Sequence, residues 1–236
     1  MKYFPVIHHC IIHILVMILA AAALCCTTAH TPATADHPSS ISDSISVYAH
    51  IRRQLDSIGI EDQRFRDQLE YLSANHDTLR LKAVMDSMAY GDSRNIRIVS
   101  HILDTYGWLG PDRIGPDANS TLFMVVQHSD LSYQQKYLPL MRAAVAAGKA
   151  LNTSLALLED RVAIREGRKQ IYGSQLAWNM KENSYYVAPL EDPDNVDKRR
   201  AAMGLPTMAE YIGSCCNLVW DAAVYKKDMH GLKKMQ

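Results

Sequence analysis

Apolar residues recur at helical spacing along most of this chain. Tyr48, Ile51, Leu55 and Ile58 fall three and four positions apart, which puts them on one face of a helix, and Gly59 supplies an expected stop. Phe65, Leu69 and Leu72 continue the period. Leu81, Val84, Met85 and Met88 form a further stripe that Gly91 is expected to end. Asp92 or Ser93 is then placed to cap a helix carrying Ile96, Val99, Ile102, Leu103 and Tyr106 as far as Gly107. The Gly, Pro and Asp content from Gly107 to Asn119 predicts a loop. Asn119 or Ser120 follows as a cap for a helix whose Leu122-Phe123-Met124-Val125-Val126 run is apolar nearly all round, and which is therefore expected at the centre. Ser132 with Gln135 makes a capping-box pattern for a helix bearing Tyr137, Leu138, Met141 and Val145, in which Pro139 marks a kink or a restart. Thr153 or Ser154 is placed to cap one through Leu155, Leu158 and Val162 to Gly167.

From Gln170 the texture changes. Ile171, Tyr172, Tyr185, Tyr186 and Val187 favour strands, and the polar Lys181-Glu182-Asn183-Ser184 lies between them, so a two-stranded hairpin is predicted around Gln170 to Val187. Its apolar face must pack on the helices, because an isolated hairpin is marginal in water. A loop, a short helix entered near Val196, a break at Gly204 to Pro206 and a closing helix from Thr207 follow. The predicted class is mainly α, a single helical domain over residues 45–236 with one small antiparallel β-hairpin.

The first thirty-five residues read differently. Met1-Lys2 gives a basic start, Ile11 to Cys26 is apolar except for His13, and Ala33-Thr34-Ala35 before Asp36 fits a small-residue cleavage site. The apolar run is shorter than the about 20 residues a membrane span needs, and none of that length follows. Residues 1–35 are therefore expected to be a signal peptide, with export to the periplasm or cell envelope, and no stable membrane span after its removal. A lipid anchor on Cys25 or Cys26 fits less well, because Leu24 rather than a small residue precedes Cys25. Residues 36–44, rich in Pro and Ser, are expected to form a flexible linker. Cys215 and Cys216 are neighbours with Cα atoms about 3.8 Å apart, below the usual disulfide range, so a bond between them is not expected.

Charge removes one class of partner. Lys and Arg total 25 and Asp and Glu total 25, so the basic excess that a nucleic-acid surface requires is absent, and no nucleic-acid partner is expected. No HExxH zinc motif, nucleophile elbow, P-loop or dinucleotide glycine fingerprint occurs either. No cofactor or metal follows from the spacing.

Polar residues interrupt the apolar pattern between Gln127 and Gln175. Gln127-His128-Ser129-Asp130 ends the central helix, Asp160 and Arg161 lie inside an apolar one, and Gln170-Ile171-Tyr172-Gly173-Ser174-Gln175 opens the hairpin region. Burying such groups costs free energy unless each finds a partner. His128 is the candidate catalytic residue, since an imidazole titrates near neutral pH. Asp130, two positions on, would face about 200° away on a continuing helix and is better placed as a cap. Asp160 and Arg161 point about 100° apart and serve different partners. Arg161 offers a donor fork to a carboxylate or phosphate, from a ligand or from Asp62 or Asp130. On a strand, Tyr172 and Ser174 would share one face and Gln175 the other.

Together these pieces resemble the bacterial family DUF6624. The resemblance rests on Asp62-Gln63-Arg64-Phe65-Arg66, Gly107-Trp108, Gly115, Gln127-His128-x-Asp130, Asp160-Arg161-Val162 and Gln170-x-Tyr172-Gly173-Ser174-Gln175, with Arg199-Arg200, Gly204-Leu205 and Tyr211. It spans about residues 60–212 and implies a shared fold without an established reaction. Two functional classes follow from the residues. In one, Gln127, His128, Asp160, Arg161, Tyr172 and Gln175 line a pocket for a small polar or anionic ligand, with hydrolysis as the chemistry it could support. In the other they form an internal hydrogen-bond network, and the chain is a structural or interaction module of the cell envelope. An open cleft with convergent side chains favours the first, and a closed, satisfied network favours the second.

Overall fold

Among the described residues, two long helices come first, where four shorter ones are expected. In the computed structural model, which describes residues 41–74, 78–179, 184–216 and 218–233, α1 spans Ile41–Ala74 and α2 spans Thr78–Tyr106. The expected signal peptide and residues 36–40 of the linker lie outside the described residues, and Ile41 to Ser44 form the start of α1. Gly59 and Gly91 do not stop these helices. A glycine inside a helix costs only about 1 kcal/mol against alanine, and it ends one chiefly when it takes a left-handed conformation. Gly107 does so, at φ 69°, and there α2 ends. At Gly59 the missing side chain instead permits close packing: a Cβ there would stand 2.6 Å from Thr121 Oγ1.

Gly110 leads into a short turn of helix, α3 (Pro111–Ile114), and Gly115 at φ 82° leads into α4 (Pro116–His128). The central helix thus starts earlier than the Asn119 cap would place it, with proline at its first position, where a missing N–H costs nothing. Asn119 has another task, donating to the carbonyls of Leu109 and Lys149 at 2.7 and 2.8 Å. As its composition predicts, α4 is buried along Leu122 to Val126. Ile51, Leu55 and Ile58 of α1 and Ile96, Val99, Ile102 and Leu103 of α2 join it in one core.

Next come α5 (Leu131–Ala146), which carries Pro139 inside it, and α6 (Asn152–Arg165). The hairpin is shorter than expected. Strand β1 is Leu176–Asn179 and β2 is Ser184–Val187, paired antiparallel with Leu176 opposite Val187 and Asn179 opposite Ser184. Residues 170–175 are not a strand. Gly173 turns at φ 72°, and the amides of Ile171, Tyr172 and Ser174 all point at one carboxylate, Asp160, whereas an extended strand alternates its amide directions. Leu176 and Val187 are buried, which docks the hairpin on the helices. A 3-10 turn (Pro193–Asn195), α7 (Val196–Ala202), α8 (Met208–Cys216) and α9 (Ala222–Lys233) complete the mainly helical chain. No helix among the described residues is long and apolar enough to cross a membrane. The sulfurs of Cys215 and Cys216 lie 3.2 Å apart, well beyond the about 2.05 Å of a disulfide.

Candidate functional site

The polar residues of the sequence divide into two groups, one satisfied but for a single nitrogen and one left with several unpartnered atoms. The satisfied group surrounds Asp160. Its carboxylate is fully buried and accepts from the N–H of Ile171 at 2.7 Å, Tyr172 at 2.9 Å and Ser174 at 2.9 Å. Burial raises its pKa, against the pull of those three amides. The Gln170 side chain donates to the carbonyls of Gln175 and Ala188 and accepts from the Gln175 amide, tying the turn to the hairpin. Gln175 donates to Ser174 Oγ at 2.9 Å. Tyr172 is half-buried and donates its hydroxyl to Glu159 at 3.2 Å. Arg200, fully buried, donates to the carbonyls of Tyr172 and Pro206 and keeps one nitrogen, Nη2, without a hydrogen-bond partner among the described residues, and the Tyr211 hydroxyl donates to the carbonyl of Ser174. This half of the polar set builds the fold.

The second group collects at the C-terminal end of α4. Its exposed carbonyls are covered by side chains: Gln134 donates to the carbonyl of Gln127 at 2.8 Å, Arg161 to the same carbonyl at 3.2 Å, and Arg165 to that of Ser129 at 2.7 Å. These contacts explain why cations gather there, since a helix C-terminus carries partial negative charge. They do not explain the rest of Arg161. Only 4% exposed, its Nε and Nη2 have no hydrogen-bond partner among the described residues, and neither amide atom of the fully buried Gln127 has one. Burial, with the charges of Arg165 and Arg66, pushes the Arg161 pKa down to about 9.

His128 meets a residue that the sequence does not pair with it. Its Nδ1 lies 3.5 Å from Asp62 Oδ1, and both side chains are about 95% buried. Arg66, one turn beyond Asp62 on α1, grips that carboxylate with Nε at 2.9 Å and Nη2 at 2.8 Å, and the same Nη2 reaches Asp92 of α2 at 2.9 Å. Gln63 adds a donor to Asp62 Oδ2 at 2.9 Å. Asp92, with a side chain 26% exposed, is the member nearest solvent. Asp62, Asp92 and His128 bring one donor atom each within 4.8 Å of one another.

Their charge states follow from this setting. Burial works to raise Asp62, but His128 and the Arg66 fork outweigh it and hold the carboxyl well below the usual carboxylate range. Burial pushes Asp92 up to about 6 against the pull of Arg66. Burial and the charge of Arg66 push His128 down to about 4, so its imidazole is neutral at pH 7. The neutral form is the one that accepts a proton or ligates a metal. Arg161 acts electrostatically on both Asp92 and His128.

Of the sequence candidates, the structure brings Gln127, His128 and Arg161 together and places Asp160, Tyr172 and Gln175 in the scaffold around the turn. Asp62, Arg66 and Asp92 complete the group without having been singled out as site residues. Asp62 and Arg66 carry a readable signal, an acid and an arginine four apart on a helix. Asp92 carries none, because beside Gly91 it reads as a cap.

Fold and site together define a helical domain organised around a buried group of two carboxylates, an imidazole and two guanidinium groups. Residues 49–226, more than half of the chain, match DUF6624, described as a family of unknown function, and the chain belongs to that family. No curated protein and no solved structure matches it.

Proposed function

We propose that this protein binds a small anionic ligand at Arg161 and Gln127, beside the Asp62, Asp92 and His128 group, and that it does so after export to the cell envelope. The carrying observation is Arg161: a guanidinium 4% exposed, with two donor nitrogens unpartnered among the described residues. A buried charge without a full set of partners costs several kcal/mol, and a carboxylate or phosphate presents the oxygen pair that fits a planar fork. Hydrolysis of the bound anion is the reaction class the neighbours support. The neutral imidazole and the carboxylates border the anion position, and between them they can take the proton from an attacking water as the leaving group departs.

The scaffold reading retains one specific observation in its favour, the Arg66 bridge, which already ties Asp62 to Asp92. Ligand-linked stabilisation separates the two. Thermal unfolding in inorganic phosphate, sulfate and acetate is expected to show a rise for at least one anion. At a concentration of 100 Kd this amounts to about 2.7 kcal/mol, or roughly 5–10 °C at about 2–4 °C per kcal/mol. Arg161→Met is expected to abolish the rise. A parent chain indifferent to every anion in the panel, or an equal rise in the variant, leaves the scaffold reading in possession.

A further inference from the structure

Resting on the anion reading above, we infer that Asp62, Asp92 and His128 are the ligands of a divalent transition-metal ion, and that this ion and the anion at Arg161 bind cooperatively. The three side chains come from three helices, α1, α2 and α4, and offer two carboxylate oxygens and an imidazole nitrogen within 4.8 Å of one another. Their side chains are 5%, 26% and 4% exposed, so the donors are shielded from all sides but that of Asp92. Around an ion with bonds of about 2.0–2.2 Å, neighbouring ligand atoms lie roughly 3–3.5 Å apart, so the group must close by on the order of 1 Å.

Arg66 shows that a cation fits between the two carboxylates, because its Nη2 stands 2.8 Å from one and 2.9 Å from the other. Its Nε makes a separate bond to Asp62 at 2.9 Å. The guanidinium can therefore give up Asp92 to a metal and still orient Asp62, the part that supporting residues play around metal-bound carboxylates. Two carboxylates with an imidazole suit Mn2+, Fe2+ or Zn2+ better than an ion that seeks thiolates.

Charge supplies the coupling. An imidazole that ligates a metal is neutral, so Asp62, Asp92, Arg66 and Arg161 sum to zero. A dication alone would leave two uncompensated positive charges among buried side chains, which low polarity penalises heavily; a dianion removes them. Arg161 is the independent sign of that anion. Its unpartnered nitrogens are buried, and it bonds the carbonyl of Gln127, the residue before His128 in α4. An anion on its fork would therefore sit at the same end of α4 as His128.

The test titrates the full chain, stripped with chelator, with Mn2+ alone, inorganic phosphate alone and both, read by electron paramagnetic resonance and thermal shift. One Mn2+ per chain is expected, with Kd tightening about tenfold or more in saturating phosphate, and phosphate tightening by the same factor in Mn2+, as linkage requires. Asp92→Asn should lose Mn2+ binding. Arg161→Met should lose the phosphate effect on Mn2+. Absence of Mn2+ binding with and without phosphate overturns the metal site, while a surviving phosphate shift leaves the anion reading intact. Mn2+ binding that ignores phosphate defeats the coupling, and the anion reading falls with it when the metal-free phosphate shift is absent as well. Binding that survives both Asp92→Asn and His128→Gln puts the ion elsewhere and also overturns the site. Should neither variant fold, spin-echo modulation from an imidazole nitrogen in the Mn2+-loaded parent supports the ligand set, and its absence sinks it.

Discussion

Asp160 and Arg161 are adjacent in the chain yet belong to different parts of the molecule, because successive helical residues diverge by about 100°. One carboxylate is saturated by three amides and the neighbouring guanidinium is left with two unpartnered nitrogens, so their replacement has opposite consequences. Asp160→Asn turns an acceptor of three amide hydrogens into a group that presents hydrogens of its own. A loss of about 3 kcal/mol, or roughly 6–12 °C, is expected by calorimetry. Arg161→Met removes a costly buried charge and should leave the melting temperature unchanged or raised; a large fall would return Arg161 to the scaffold. Protonation at the same scale also opposes itself. His128 lies at about 4 against an ordinary 6.5, so between those values the unfolded chain binds the extra proton. Acidification through that window therefore removes on the order of 3 kcal/mol. Asp92 lies at about 6 against 3.8, so there the folded chain takes the proton first, and stability rises as pH falls toward 4. In metal-free buffer the two slopes offset each other in the parent. Asp92→Asn should expose the His128 slope as a steep loss of stability from pH 6.5 to 4 in urea titrations, and a profile as flat as the parent's would contradict it.

At the scale of elements, the approach of α1 to α4 sets the distance between Asp62 and His128, and Gly59 governs that approach. A methyl group there would meet Thr121 Oγ1 at 2.6 Å, an oxygen already held by the carbonyl of Asp117 at 3.1 Å. Gly59→Ala gains about 1 kcal/mol in helix propensity and is expected to lose about 1–3 kcal/mol to overpacking. Adding Thr121→Ala should recover the loss, and a double-mutant cycle without coupling would place the clash elsewhere. Helix existence was legible in the sequence because apolar spacing records which face is buried, as Leu55, Val99 and Leu122 bear out. Helix ends were less legible. Gly59 and Gly107 look alike in sequence, and only backbone conformation, set by what packs nearby, makes one a contact and the other a stop. The turn at Gln170 read as a strand because Ile171 and Tyr172 favour one; the Asp160 carboxylate, ten and more residues earlier, overrides that preference. Likewise Gln127, His128 and Arg161 stood out as polar groups in apolar surroundings, whereas Asp92 became visible only once α2 lay against α1.

Over the whole molecule, the site draws on the first, second, fourth and sixth helices, so its geometry depends on how the N-terminal helix pair seats against the rest. The polar half that builds the scaffold is distributed differently. Everything after α6 is keyed to the turn at residues 170–175, through Asp160 from one side and through Arg200 and Tyr211 from the other. The helices that carry the candidate site precede that turn and hold most of the central core. The molecule therefore has a seam. Opening it would cost the bonds to Asp160 and a few carbonyls together with the burial of Leu176, Val187, Met208, Tyr211 and Ile212, still less than dismantling the larger part of the core before residue 170, so residues beyond 170 can detach as a unit while the helices before them stay folded. Damage to this chain would then proceed in stages, with the last third lost first and the buried Asp62, Asp92 and His128 group outlasting it.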